Sequence, residues 1–218
     1  MALITLDLPT PAQLRPRWAA FAAVVAARGW GDGCRADDAR WHYDDAGGNW
    51  LDLHHFEDGR ALFVGHDHEY SNTYYGPAAE YFQEQETDLL AGAPAWWEPP
   101  VRAVQEAGQW VGFVYGFEDG RWQCAEYEPD DGFDSVGLPA LSAEMTVESV
   151  TEYTKDSPGM QTPPPTAAIE ALVAADCLIT EDLLTAVIGP QPATPPAWNP
   201  SAGVAAAHAF RAWPRHRQ

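Results

Sequence analysis

The sequence predicts an α+β fold: an antiparallel sheet of about five strands built from hairpins, packed by helices, with a Pro-rich helical C-terminal appendage. Three observations carry this expectation. The pentapeptide FEDGR stands at 56–60 and again at 117–121, each time between apolar runs. Its Asp-Gly step relieves the strain of positive φ and so reads as a hairpin turn. Helical spacings of apolar residues lie on either side of these hairpins. Finally, ten of the 19 prolines fall in the last 63 residues.

In order, Leu3 to Pro9 reads as a short strand or extended lead-in. Leu14, Trp18, Phe21 and Val25 then share one helical stripe. Pro16 would clash inside a helix, which places the regular start near it, and Gly29 supplies the stop. This helix is expected to lay its Trp and Phe on the sheet. Residues 30–40 (WGDGCRADDAR) read as a polar loop.

The stretch from Trp41 to Tyr70 then holds five of the seven histidines and reads as three strands. With Asp58-Gly59 as a two-residue turn, His55 pairs with Leu62, Leu53 with Val64, and Leu51 with His66. A turn at Gly47-Gly48 places His42 opposite Leu53. Alternation puts Leu51, Leu53, Leu62 and Val64 on one face with His42, Asp44, His55, His66 and His68. Trp41, Tyr43, Trp50, Phe56 and Phe63 occupy the other, with Asp52, His54 and Asp67.

A helix is predicted from Pro77 to Ala91 with Ala78, Phe82, Gln85 and Leu89 on one side, and a shorter one (VRAVQEA) ending at Gly108. Around Asp119-Gly120 the second hairpin gathers Val111, Phe113, Tyr115, Phe117, Trp122 and Cys124 on a core face. A helix over Ala143–Thr154 comes next. The expected division is an acidic, aromatic-rich domain over 1–156 and a Pro-rich segment over 157–218. The latter comprises a helical pair within 166–188, Pro-rich linkers at 157–165 and 189–200, and a flexible basic tail, RAWPRHRQ.

Composition narrows the function. The chain carries a net charge of −20. Residues 29–156 hold 27 acids against 6 bases, a balance of −21. Such a surface repels nucleic-acid phosphate and anionic membrane and attracts cations or a basic partner. Three widely spaced cysteines offer no disulfide framework. The start, MALITLDLPT, lacks the features of a signal peptide, and the longest apolar run, Trp18 to Ala27, is half a membrane span, so a cytoplasmic location is expected.

Metal-ligand candidates are His42, Asp44, His55, His66 and His68, but the inferred register spreads them. His42 and His66 sit two strands apart, about 10 Å across the ladder. No metal is favoured, and no HExxH motif occurs. For acid–base catalysis the candidates are Asp52, His54 and Asp67, a carboxylate orienting His54 on an aromatic face. No GxSxG elbow supplies a nucleophile. No phosphate-binding motif is present, and no cofactor is expected.

An interaction surface accounts best for the remainder. Trp50, Tyr70, Tyr74, Tyr75, Trp96 and Trp97 beside Asp67, Glu69 and Glu98 offer aromatic anchors with acids that steer a basic protein. In composition alone, the chain resembles the small acidic immunity proteins and antitoxins that neutralise basic toxins. The expected function is a non-enzymatic protein-binding protein, an inhibitor of that kind. A metal-dependent enzyme using the His/Asp-rich sheet is the alternative.

Overall fold

The computed structural model describes residues 3–37, 39–195 and 197–212. Seven strands, β1 (Ile4–Leu6), β2 (Cys34–Ala36), β3 (Arg40–Asp44), β4 (Trp50–His55), β5 (Ala61–His66), β6 (Phe113–Glu118) and β7 (Arg121–Cys124), form one sheet in the order β1-β7-β6-β5-β4-β3-β2. The helices are α1 (Pro11–Arg28), α2 (Pro77–Phe82), α3 (Glu98–Glu106), α4 (Ala143–Thr154), α5 (Thr166–Ala174), α6 (Glu181–Ile188) and α7 (Pro200–Ala209). The α+β class with an antiparallel sheet is as expected, with seven strands in place of about five. Beyond the hairpin strands the sheet takes in β1, in the stretch read as a short strand or extended lead-in, and β2, inside the stretch read as a loop.

The chain divides into two compact units. Among the described residues, one unit groups 11–41 with 138–212 and the other groups 3–10 with 42–137.

In the unit holding most of the sheet, β4 pairs β5 with Trp50 opposite His66, Asp52 opposite Val64 and His54 opposite Leu62. This is one residue out of the expected register. The first FEDGR closes as a three-residue loop, Phe56 N donating to Arg60 O (3.1 Å) and only Gly59 taking positive φ. The second closes as the expected two-residue turn. Asp119 and Gly120 both have positive φ, and Glu118 lies opposite Arg121. One pentapeptide thus makes two different turns.

Both faces of this part of the sheet are covered. Trp50, Leu62, Val64 and Val114 pack against Leu89, Trp97, Val101 and Val104, with Val111 in the same cluster and not on the Phe113 face. Trp97 lies so close to β6 that a Cβ at Gly116 would fall 2.2 Å from its ring. On the opposite face Phe63 stacks on Trp122 (4.7 Å, 17°), and Phe113 and Tyr115 surround Phe133.

The second unit is helical and built around α1, in which every residue from Trp18 to Ala27 is buried. A helix apolar on all sides needs neighbours on all sides. Here α4, α5, α6 and α7 supply them, so α1 is not a one-faced lid on the sheet. Phe21 meets Tyr153 of α4 (4.9 Å), and Trp18 meets Phe210 (6.2 Å) and Trp41 (5.6 Å). The helix begins at Pro11 and carries Pro16 internally; tight packing tolerates the lost backbone bond. Helix α7 lies between the expected linker (189–200) and the basic tail, over residues for which no element was expected. The final residues of the basic tail, 213–218, lie outside the described residues. Among the described residues no helix is long and apolar enough to cross a membrane.

Candidate functional site

The histidine-bearing strands do not converge on one point. Alternation from the observed register puts His54 and His66 on one face and His55 on the other. His42 joins the first face, because its Nδ1 lies 2.6 Å from Oδ1 of the buried Asp52. The expected arrangement had placed these two on opposite faces. The β3–β4 connection closes with Asp45 N donating to Asn49 O, its loop being Ala46–Gly48. Asp52 therefore orients His42.

Burial first, and the neighbouring His54 second, hold His55 down at about 3. Burial likewise lowers His66, partly offset by Asp67. His68 is exposed and meets Asn49 Oδ1 through Nδ1 (3.0 Å), while Asp44 receives Ala46 N (2.7 Å). Among the described residues no group of three or more His, Cys, Asp or Glu is placed to hold a metal ion.

Asp67 lies in the turn that follows β5. It is 1% exposed, and its Oδ1 receives Glu69 N and Tyr70 N to close a turn. Cys34, Cys124 and Cys177 are free and buried. Burial raises the thiols, Cys124 to about 11 and Cys177 to about 12, which leaves them poor nucleophiles.

A different surface assembles where residues 71–74 leave β5. Ser71 donates to Asp131 O (2.6 Å), and Thr73 donates to Gly112 O. Asn72 N donates to Asp130 O (2.7 Å), and Thr87 N donates to Tyr74 O (2.8 Å). These bonds draw the segments 84–88 and 126–129 to either side of Tyr74. Between them lies a cleft of about 480 Å³, lined by Glu84, Glu86, Asp88, Glu126 and Glu128 with Tyr74 and Tyr127. None of its lining residues is basic.

Beside the cleft stands a cluster of exposed rings. Helix α2 buries Ala78 and Ala79, which turns Tyr81 (71% exposed) and Phe82 (43%) outward. Trp110 (37% exposed) lies 4.6 Å from Phe82 and 5.5 Å from Tyr81. Tyr74 joins the two features, lining the cleft while its ring sits 5.6 Å from Phe82. His66 meets Trp110 edge-on at 6.1 Å.

The predicted binding residues sort by burial. Trp50 and Trp97 are core, and Asp67 is buried in its turn, so these three leave the surface set. Trp96 is half-buried, packed edge-on against Phe56 (5.0 Å). Glu98 is exposed and 3.6 Å from Arg102. Glu69 and Tyr70 are exposed, and Tyr74 and Tyr75 are half-buried.

Tyr81, Phe82, Glu84, Glu86 and Asp88 were missed because a helix was expected through Ala91, while Trp110, Glu126 and Glu128 flank the second hairpin, which was read for its core face alone. The chain leaves the helix at Gln83, in left-handed conformation. The signal was present in the sequence: Glu80, Glu84 and Asp88 would stack like charges at i,i+4, which opposes a helix there. No family model, curated protein or solved structure matches this chain.

Proposed function

We propose that this protein is a non-enzymatic binding protein whose acidic, aromatic face docks a basic protein, in the manner of an inhibitor that neutralises its target. The observation that carries this reading is the five-carboxylate cleft with no basic lining, adjoining the exposed Tyr81, Phe82 and Trp110. Rings of this kind supply contact area at low entropic cost, and like-signed carboxylates accelerate encounter with a cation-rich surface. A partner held this way associates faster at low salt, because screening shortens the reach of the carboxylates.

Immobilised protein tests this. A partner of high isoelectric point should be retained, released by salt, and lost on substituting Glu84, Glu86, Glu126 and Glu128 together by Gln. Retention that ignores both salt and these substitutions would contradict the proposal.

The second reading is an acid–base enzyme, favoured by the His42–Asp52 pair: a buried carboxylate fixes one imidazole nitrogen and leaves Nε2 on the far edge of the ring. An activity abolished by His42→Gln in a folded variant would promote it.

A further inference from the structure

Resting on the basic-partner reading, we infer that the site formed by Trp110, Tyr81, Phe82 and the adjoining cleft is selective for arginine side chains over lysine. Tyr81 and Phe82 meet Trp110 at steep angles, 42° and 67°. The three rings therefore do not stack face to face, and their exposure, greatest at Tyr81 (71%), leaves ring surface for a planar group. Tyr74 lines the cleft with Glu84 and Glu86 while its ring sits 5.6 Å from Phe82, so carboxylates and rings share one surface.

A guanidinium suits both halves of such a site, because its plane lies on a ring while its edge donates two hydrogen bonds to a carboxylate. The compact, strongly hydrated lysine ammonium gains the charge attraction but stacks poorly.

Each unit of this chain already uses the same recognition on an arginine of its own. In one, the Arg60 guanidinium lies 4.8 Å from the Trp96 ring centroid and pairs with Asp58 at 2.6 Å and Glu118 at 3.7 Å. In the other, Arg28 lies 3.7 Å over Trp30 and pairs with Asp156 at 2.8 Å. The surface at Trp110 presents the same two ingredients, ring and carboxylate, with no arginine or lysine among the residues lining its cleft. The occupant is accordingly an arginine-bearing segment of the partner.

The test compares oligo-arginine and oligo-lysine peptides of equal length by isothermal titration, using the full chain and its folded Trp110→Ala and Glu84→Gln/Glu86→Gln variants. Oligo-arginine should bind about tenfold more tightly than oligo-lysine. Trp110→Ala should erase that difference while leaving oligo-lysine unchanged, and the double Gln variant should weaken both peptides. Equal affinities, indifferent to Trp110→Ala but weakened by the Gln variant, would overturn arginine selectivity and leave the basic-partner reading standing. Binding of neither peptide at low salt would overturn both.

Discussion

Two tryptophans that look alike in sequence should behave oppositely when truncated. Trp97 is 2% exposed, lies against Gly116 and packs among Leu89, Val101 and Val104, whereas Trp110 is 37% exposed on the aromatic face. A buried tryptophan removes roughly 200 Å² from water, which at about 25 cal/mol per Å² is near 5 kcal/mol. Allowing for partial collapse of the site, Trp97→Ala should cost about 4 kcal/mol. In a chain of this size that lowers the melting midpoint by roughly 10 °C. Trp110→Ala should cost no more than about 2 kcal/mol, since a third of its surface already faces water and its ring neighbours are themselves partly exposed. Urea titration followed by far-UV circular dichroism measures both. Trp97→Ala costing under about 1 kcal/mol, or Trp110→Ala costing as much as Trp97→Ala, would refute the assignment of core and surface.

Acid should weaken the fold through His55. Unfolded, that histidine takes up a proton near its ordinary value of about 6.5; folded, burial and His54 hold it neutral down to about 3. Between these values the unfolded chain binds more protons, so stability falls as pH drops, by about 2 kcal/mol at pH 5 from this residue. His66 acts in the same direction. His55→Leu should flatten the fall measured by denaturant titration across that window, and an unchanged slope would exclude His55 as its source. Gly203→Ala should destabilise by about 2 kcal/mol, although alanine ordinarily improves a helix. The added Cβ would stand 2.4 Å from the Ala23 carbonyl and 2.5 Å from a Leu184 methyl, forcing α7 away from α1. A rise in melting temperature would show that the two helices are not in such close contact.

Much of the fold was legible where local chemistry dominates. Ser142 and Thr180 cap α4 and α6 through bonds from Met145 N and Leu183 N, and α4 spans the expected residues. Asp119-Gly120 sets the second hairpin as its sequence suggests. The first hairpin slipped because ALFVG in β5 is apolar at every position, so alternation cannot fix its phase. The longer loop then sets Trp50 on the Leu62 and Val64 face and Leu53 on the Phe63 face.

Helix α7 escaped because Pro192, Pro195 and Pro196 make the whole stretch around them look like linker. Its start is nonetheless encoded in Asn199, whose side chain caps Ala202 N, and in Pro200 at the first turn. The candidate site was half visible. Acid content and Tyr74 pointed to it, while the rings that complete it depend on where α2 stops, a boundary decided by repelling carboxylates.

Docking of the partner at Trp110, Tyr81, Phe82 and the adjoining carboxylates is best tested by mapping backbone amide shifts in the nuclear magnetic resonance spectrum while the oligo-arginine peptide is titrated in. Perturbations should concentrate at 72–88, 110 and 126–129, and should require higher peptide concentrations to reach the same size in the Trp110→Ala and Glu84→Gln/Glu86→Gln variants. Perturbations centred on another surface, with these segments unmoved, would contradict docking at this face.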